Sequence, residues 1–195
     1  MNPCNPELLL PPWMQEHPAR QGAIFPTAID RMRLAIELGR ENIIHKTGGP
    51  FGAAIFERHS GRLVAAGVNL VVRSNCSLAH AEMVALALAQ RRLASYTLNR
   101  PGLTEYELVS SCEPCAMCFG ALIWAGITSL ACGASSEDAR QAGFDEGPKP
   151  AEWIAELNKR GITVVEGLCR NEARALLKEY TAIGGVLYNA RPSSP

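Results

Sequence analysis

Apolar residues recur along this chain first with a helical period and then with a strand period. From Thr27, a residue type that favours helix N-caps, apolar positions fall three or four residues apart until residue 44. The turn-forming segment 47–50, which contains two glycines and a proline, ends this pattern. Two apolar runs follow at 51–56 and 63–72, with a glycine-containing turn between them. This part of the chain therefore predicts a helix followed by a β-hairpin.

Helical and strand-like patterns alternate through the rest of the chain. Helices are predicted over 80–94, 115–125, 150–159 and 171–180, and strands over 105–111, 127–132 and 162–165. This alternation indicates a parallel sheet region covered by helices. Together with the antiparallel hairpin, the patterns predict an α/β fold: a three-layer α/β/α sandwich around a five-stranded mixed sheet.

The distribution of proline and of periodic segments divides the chain into three parts. Residues 1–25 are proline-rich and predict an N-terminal arm, whose leucines and Trp13 suggest packing against the rest of the protein. Residues 26–183 contain the periodic elements and predict one domain, a size ordinary for a single core. Residues 184–195 are predicted to form a C-terminal tail.

Composition and charge argue against several classes of protein. Lys and Arg total 19, as do Asp and Glu, so the formal net charge is zero, which argues against a dedicated nucleic-acid partner. No apolar run approaches the roughly 18 residues of a membrane helix, and the N-terminus lacks the pattern of a signal peptide. Seven cysteines, an odd number, argue against a disulfide framework and indicate a reducing cytoplasm.

Two short motifs contain the candidate chemistry: His-Ala-Glu, which begins at His80, and Pro-Cys-Ala-Met-Cys, which contains Cys115 and Cys118. An imidazole and two thiolates are zinc ligands, and three protein ligands with one open position are typical of a catalytic zinc site. The two cysteines are three apart, so on a helix they lie on one face and can bind one ion. The histidine and the glutamate are two apart and diverge, which leaves the Glu82 carboxylate to move protons of an activated water.

Three other interpretations use the same cysteines. A CxxC after a strand also suits a redox dithiol, although that leaves His80 and Glu82 without a role. Cys112 extends the spacing toward an iron–sulfur pattern, but the further cysteine that such a pattern needs is missing. A structural zinc site, with Cys112 or Cys76 as fourth ligand, would leave Glu82 without a purpose. A catalytic zinc site is the preferred interpretation.

With its two motifs at predicted helix starts, the chain resembles the cytidine deaminase-like superfamily over residues 27–170. The resemblance implies that His80, Cys115 and Cys118 bind one Zn²⁺ and that Glu82 is the catalytic proton carrier. It also implies the reaction, in which activated water attacks a ring carbon of amidine type and ammonia leaves. We therefore expect a zinc-dependent hydrolytic deaminase.

The segments 49–53 and 67–69 resemble the purine and cytosine deaminase branches, and the segments around Trp124 and the pair Asp145-Glu146 resemble bacterial guanine deaminases. In the related purine and cytosine deaminases, the asparagine that matches Asn69 hydrogen-bonds the base. Guanine presents two adjacent donors, N1–H and its exocyclic amine, which a carboxylate accepts well. Asp145 or Glu146 fits that role, and Glu146 is also a catalytic candidate for carrying protons to the leaving amine.

The predicted substrate-binding residues lie in or beside these motifs, or near the C-terminus: Phe51, Asn69, Ala81, Trp124, Asp145 and Tyr188. Phe51 and Trp124 are expected to stack on the base. Members of the family form dimers, some with exchanged C-terminal segments. We therefore expect a homodimer in which Tyr188 caps a neighbour's pocket.

The base itself is the part of the prediction with the most alternatives. Guanine, giving xanthine and ammonia, is preferred, with related amino-triazines as further substrates. A tRNA adenosine deaminase and a free cytosine deaminase are the alternatives within the superfamily. A zinc-binding or redox module without deaminase activity is the alternative from a different class.

Overall fold

The structure is a computed structural model and describes residues 10–17, 21–99 and 104–189 of the 195-residue chain. In chain order the elements are α1 (Pro12–Glu16), α2 (Ala28–Ile44), β1 (Gly52–Glu57), β2 (Leu63–Val68), α3 (Val71–Ser74), α4 (Ala81–Arg92), β3 (Tyr106–Cys112), α5 (Ala116–Ala125), β4 (Ser129–Ala134), α6 (Ser136–Gln141), α7 (Trp153–Asn158), β5 (Thr163–Val165) and α8 (Arg170–Ala182). Parts of the predicted arm and tail, residues 1–9, 18–20 and 190–195, lie outside the described residues. Among the helices described, none is long and apolar enough to cross a membrane.

The five strands form one mixed sheet in the order β2-β1-β3-β4-β5. Strand β1 is antiparallel to both β2 and β3, whereas β4 lies between β3 and β5 and is parallel to both. The predicted hairpin, the parallel region and the five-stranded α/β sheet are thus confirmed. Because β3 and β4 run in the same direction, α5 crosses over between them, and it begins at the carboxyl end of β3.

The chain after β2 differs from the prediction. The strand ends at Val68 rather than at residue 72, and Val71–Ser74 form one helical turn. The Val71 N–H donates to Oδ1 of Asn69 at 3.3 Å, so a polar side chain satisfies the local backbone in place of a strand partner. The strand therefore stops immediately before Asn69, a residue predicted to bind substrate.

Alternating side chains of β1 pack into two separate cores. Ala54 and Phe56 belong to the core that contains α2 and α8, and Ala53 and Ile55 belong to the core that contains α5 and α7. All four residues are fully buried. A strand that is covered on both faces has no polar face, which explains why its sequence is an unbroken apolar run.

Close packing of α4 on β2 positions the start of α4. A Cβ atom on Gly67 would collide with the main-chain carbonyl of Ala81, the first residue of this helix. Glycine permits this approach because it has no side chain. The contact fixes the place of His80, which immediately precedes α4.

The short helix α6 is absent from the sequence-based prediction, although it begins with a capping box. The Asp138 N–H donates to Oγ of Ser135, and the Ser135 N–H donates to Oδ2 of Asp138. Arg170 of α8 donates to both carboxylate oxygens of Asp138, at 2.8 and 3.2 Å. Hydrogen bonding from Arg170 is the largest cause that lowers the pKa of Asp138 to about 2. The carboxylate therefore joins α6 to α8.

Replacing Asp138 with asparagine should lower the free energy of unfolding at pH 7 by about 1 kcal/mol, since the capping box and the contact with half-exposed Arg170 both lose their charge. The folded-state pKa lies below the ordinary value of 3.8. The wild-type contribution is therefore complete above about pH 4 and is lost as the pH falls toward about 2. Urea unfolding of both proteins at pH 7 and pH 3 measures the difference.

The difference between the two proteins should shrink at pH 3, and a difference independent of pH would contradict this assignment. Glu137→Gln is the matched control, because Glu137 occupies the same helical turn but is exposed. Its substitution should change the free energy of unfolding by less than about 0.5 kcal/mol at either pH.

Candidate active site

Helices α4 and α5 each place a predicted zinc ligand at their first turn. His80 is the N-cap residue of α4, and Cys115 is the N-cap residue of α5. Neither side chain is used in a capping hydrogen bond, and both instead meet between the two helices. The His80 Nδ1 atom lies 3.5 Å from Sγ of Cys115 and 3.7 Å from Sγ of Cys118.

These three side chains have the spacing of ligands around one zinc ion. Their ligand atoms all lie within 4.8 Å of one another. Tetrahedral zinc, with Zn–S bonds of about 2.3 Å and Zn–N bonds of about 2.0–2.1 Å, would hold its N and S ligand atoms about 3.6 Å apart. The observed separations of 3.5 and 3.7 Å agree with that value. Among the described residues the cluster has no fourth ligand, as expected for a catalytic site.

The electrostatic environment favours the metal-binding form of Cys115. A hydrogen bond from the Cys118 thiol is the largest influence, and with the contact to His80 it lowers the pKa of Cys115 to about 4 despite partial burial. The N-terminus of α5 favours negative charge at the same position. Of the two cysteines, Cys115 is therefore the one whose thiolate, the form that binds zinc, is favoured by its surroundings.

Glu82 lies in the first turn of α4, beside the ligand cluster but not in it. The residue is 6% exposed, and Oε1 accepts a hydrogen bond from Oγ of Ser110 on β3 at 3.4 Å. Burial is the largest cause that raises the pKa of this carboxyl, and the negative charge of Cys115 raises it further. A buried carboxyl next to the ligand cluster has the position expected of a proton carrier.

A cavity borders this cluster, and most of the predicted site residues line it. These residues come from separate segments of the chain: Phe51, Asn69, His80, Glu82, Cys115, Asp145, Glu146 and Tyr188. Cys118 is fully buried behind them. The fold thus brings together most of the side chains that were predicted to bind zinc, move protons and contact a base.

Two predicted substrate-binding residues do not line the cavity. Trp124 lies near the end of α5 and is 87% exposed, because Cys118 and Leu122 occupy the buried face of the helix and Trp124 lies on the opposite side. Within one chain, Trp124 therefore does not stack on a base in this cavity. Ala81 is fully buried, with its carbonyl packed against Gly67 of β2.

The two adjacent acidic residues differ in their surroundings. Asp145 is exposed, and its Oδ1 accepts a hydrogen bond from the Gly147 N–H at 2.9 Å. Glu146 is 6% exposed, and its Oε2 has no hydrogen-bond partner among the described residues. Burial, followed by the negative charge of Cys115, raises the pKa of Glu146 to about 8. Both carboxyl groups therefore lie at the cavity, and Glu146 is the buried one of the pair.

The loop that contains Glu146 is anchored to the start of α5. The Ala116 N–H donates to the Glu146 carbonyl at 2.9 Å. The buried ammonium of Lys149 donates to the Pro114 carbonyl at 3.0 Å and to Oγ of Ser136 at 2.8 Å. These contacts hold the buried carboxyl of Glu146 beside the ligand cluster.

Phe144 is a wall residue of the cavity that sequence reasoning missed. Its ring packs edge-on against Phe51, with centroids 4.8 Å apart, and stacks on Tyr180 at 6.2 Å. Phe144 lies in the segment that resembles guanine deaminases, but an aromatic residue next to two acidic residues does not by itself show which of them enters a cavity. The other lining residues that sequence reasoning did not select are Gly49, Val72, Cys112, Glu113 and Val186.

The C-terminal tail covers the cavity of its own chain. Val186 and Tyr188 line the cavity. The Tyr180 hydroxyl donates to the Val186 carbonyl at 2.8 Å, and the Asp145 N–H donates to Oδ1 of Asn189 at 2.9 Å. Within the one chain described, Tyr188 therefore lies at the cavity in the position of a cap. Capping of a neighbour's pocket by an exchanged tail stays a prediction.

Comparison with known proteins gives the family. Residues 27–134 match the cytidine and deoxycytidylate deaminase zinc-binding region. A guanine deaminase from Nitrosomonas europaea is 50% identical with a TM-score of 0.85, covering 89% of this chain and 94% of that chain. A structure of NE0047 in complex with 2,6-diaminopurine is 50% identical with a TM-score of 0.89, covering 96% and 98%. The guanine deaminase of Bacillus subtilis is 39% identical over 127 residues, 62% of this chain and 77% of that protein. The chain therefore belongs to this family of zinc-binding deaminases, and within it to the guanine deaminases.

Proposed function

We propose that this protein hydrolyses guanine to xanthine and ammonia in a zinc-dependent reaction. The observation that carries the proposal is the cluster of His80, Cys115 and Cys118 at a cavity that also contains the buried carboxyl groups of Glu82 and Glu146. Identity of 50% to a guanine deaminase, over nearly the whole chain, supports guanine over tRNA adenosine or free cytosine. A redox dithiol gives no role to His80 or Glu82.

The chain's own residues supply the proton transfers. Zinc, when bound by the three ligands, supplies the Lewis acidity that makes water a nucleophile near neutral pH. Glu82 accepts a proton from the attacking water and donates it to the ring nitrogen next to the carbon that bears the amino group. A second proton, from the hydroxyl group that the water has left on the ring carbon, must reach the amino group, which then leaves as ammonia while the carbonyl of the product forms. Glu146 is buried, and its Oε2 atom has no hydrogen-bond partner among the described residues, so we assign this carboxyl group to the second transfer.

The remaining cavity residues hold the base. The Asn69 amide offers both a donor and an acceptor, which suits the edge of a purine. The edge-on rings of Phe51 and Phe144 form an apolar wall for the flat ring. The buried Glu146 carboxyl, rather than exposed Asp145, is the better acceptor for a guanine N–H. Tyr188 covers the bound base.

An assay for ammonia release tests this proposal directly. The purified protein should contain about one zinc per chain by elemental analysis, as a three-ligand catalytic site requires. It should release ammonia and form xanthine from guanine, and cytosine, adenine and cytidine should react far more slowly. Simple amino-triazines test the predicted further substrates. Turnover of cytosine with guanine inert would overturn the choice of base, and absence of zinc would overturn the enzyme assignment.

The proposal includes a homodimer formed through the outer face of α5. Met117 and Ala121 are half-buried and Trp124 is exposed, and their spacing of four and three residues forms one apolar stripe. An exposed tryptophan in an apolar stripe is typical of an interface. Trp124→Glu should therefore change the molar mass measured by light scattering from that of a dimer to that of a monomer.

A matched control tests whether the stripe is responsible. Ile24 is also a large exposed apolar residue but lies outside α5, so Ile24→Glu should leave a dimer intact. A monomeric wild-type protein would contradict the proposal.

A cytoplasmic location is part of the same proposal, because the two thiol ligands must remain reduced.

A further inference from the structure

We propose that Asn42, a buried residue outside the cavity, holds the base-binding loops in place, and that Thr47 and Trp13 hold Asn42. This inference rests on the proposed function, because its effect is measured on the binding of the base. Asn42 lies near the end of α2 and is 0% exposed. It does not line the cavity, so it is a positioning residue and not a catalytic one.

One amide group ties together two loops that line the cavity. Nδ2 of Asn42 donates to the Gly49 carbonyl at 2.9 Å and to the Asn69 carbonyl at 2.9 Å. Gly49 and Asn69 belong to different segments of the chain, before β1 and after β2, and both line the cavity. Both N–H groups of the Asn42 amide are thus used on the main chain of the pocket.

The two loops are also in direct contact. A Cβ atom on Gly48 would collide with the Asn69 carbonyl and would lie 2.7 Å from Nδ2 of Asn42. The Asn69 N–H donates to the Phe51 carbonyl at 3.1 Å. A shift at Asn42 would therefore be transmitted to both Asn69 and Phe51.

A second set of contacts fixes the orientation of the Asn42 amide. The Thr47 hydroxyl donates to Oδ1 of Asn42 at 2.6 Å, which directs the NH₂ group toward the two carbonyls. The indole N–H of Trp13 donates to the same hydroxyl at 3.0 Å. The Trp13 ring is stacked on His45, with centroids 5.3 Å apart and planes at 7°. The hydrogen bonds form a chain in which each group donates to the next, from the N-terminal arm to the base-binding loops. Each bond therefore polarises the one that follows it.

Loss of this network should weaken binding of the base more than it slows the chemistry. The zinc ligands and Glu82 lie in or immediately before α4 and α5, which none of the Asn42 hydrogen bonds contacts. A mutation that loosens only the binding of substrate raises KM and leaves kcat nearly unchanged. A general loss of folding would instead lower the active fraction and with it kcat.

The test uses the full-length zinc-loaded protein and three graded variants, assayed for KM and kcat with guanine. Asn42→Asp keeps the shape but removes both donors, and we expect KM to rise about tenfold with kcat within about threefold of wild type. Thr47→Val keeps the Asn42 amide but removes the hydroxyl that fixes its orientation, and KM should rise about threefold. Trp13→Phe keeps the ring stacking but removes the N–H, and should have the smallest effect. Zinc content should be unchanged in all three.

Leu34→Ala is the control for a purely structural effect. Leu34 is a buried core residue of the same helix that does not line the cavity, so the variant should lose stability without a rise in KM. Equal KM values for Asn42→Asp, Thr47→Val and wild type would overturn the inference. If Asn42→Asp fails to fold, the comparison of Thr47→Val with Leu34→Ala decides the question.

Failure of the proposed function gives a different result. A wild-type protein inert toward guanine refutes that function, and the ratio of KM between variant and wild type is then measured with whichever base is turned over. A protein inert toward every base refutes both.

Discussion

Glu82→Gln should reduce kcat by a factor of about 10²–10⁴ while leaving the zinc in place. The substitution keeps the shape of the side chain and its contact with Ser110 but removes the group that accepts and returns a proton. Because the ligand cluster consists of His80, Cys115 and Cys118, no ligand is lost. Steady-state kinetics with guanine and elemental analysis for zinc, on the same preparation, measure both results.

The control for this variant is the same chemical change at an exposed site. Glu152 is exposed and lies outside the cavity, so Glu152→Gln should change kcat by less than about twofold. Loss of zinc from Glu82→Gln would show that the carboxylate is a ligand. Unchanged turnover would show that another group carries the proton. Either result would contradict the assigned role.

Glu107→Ala should lower the free energy of unfolding by about 3–5 kcal/mol, because it leaves a buried guanidinium without its counter-ion. Nη1 of Arg31 on α2 lies 2.7 Å from Oε2 of Glu107 on β3, and the two side chains are only 9% and 10% exposed. Arg31 also donates through Nε to the Phe25 carbonyl at 2.9 Å, so it cannot turn to solvent without losing further bonds. Urea unfolding of the zinc-loaded protein measures the effect.

Two comparisons separate this buried pair from an ordinary ion pair. The Arg33–Glu172 pair is half-exposed, with side chains 61% and 48% exposed, so Glu172→Ala should cost less than about 1 kcal/mol. The double variant Arg31→Met with Glu107→Leu removes both charges and should recover much of the loss. Equal losses for Glu107→Ala and Glu172→Ala would contradict the argument from burial.

The zinc-ligand cluster was predictable because it depends on local spacing. Cys115 and Cys118 lie three apart at the start of one helix, and His80 immediately precedes the next helix upstream. The fold of parallel strands then brings the two helix starts to one edge of the sheet. The alternation of helices and strands was visible in the hydrophobic pattern, so the prediction and the structure agree in this region.

The residues that were not predictable depend on which side of an element faces the core. Trp124 was expected in the pocket because the sequence around it resembles guanine deaminases, but tertiary packing buries Cys118 and Leu122 and turns Trp124 outward. Loop residues have no period, so nothing in the sequence separates buried Glu146 from exposed Asp145. Asn42 is the extreme case, because its partners at Gly49 and Asn69 lie in loops that only the folded chain brings together.

The separation of the zinc ligands along the chain links metal binding to folding. His80 and Cys115 are 35 residues apart, so an ion bound to both would join two helices that are distant in sequence. An unfolded chain does not hold these ligands together, so zinc binds the folded state preferentially. Zinc at 100 times its dissociation constant would add about 2.7 kcal/mol to the free energy of unfolding. The midpoint of thermal unfolding should therefore rise with the concentration of free zinc. A measured stability refers to a defined mixture of zinc-bound and zinc-free protein only when that concentration is stated.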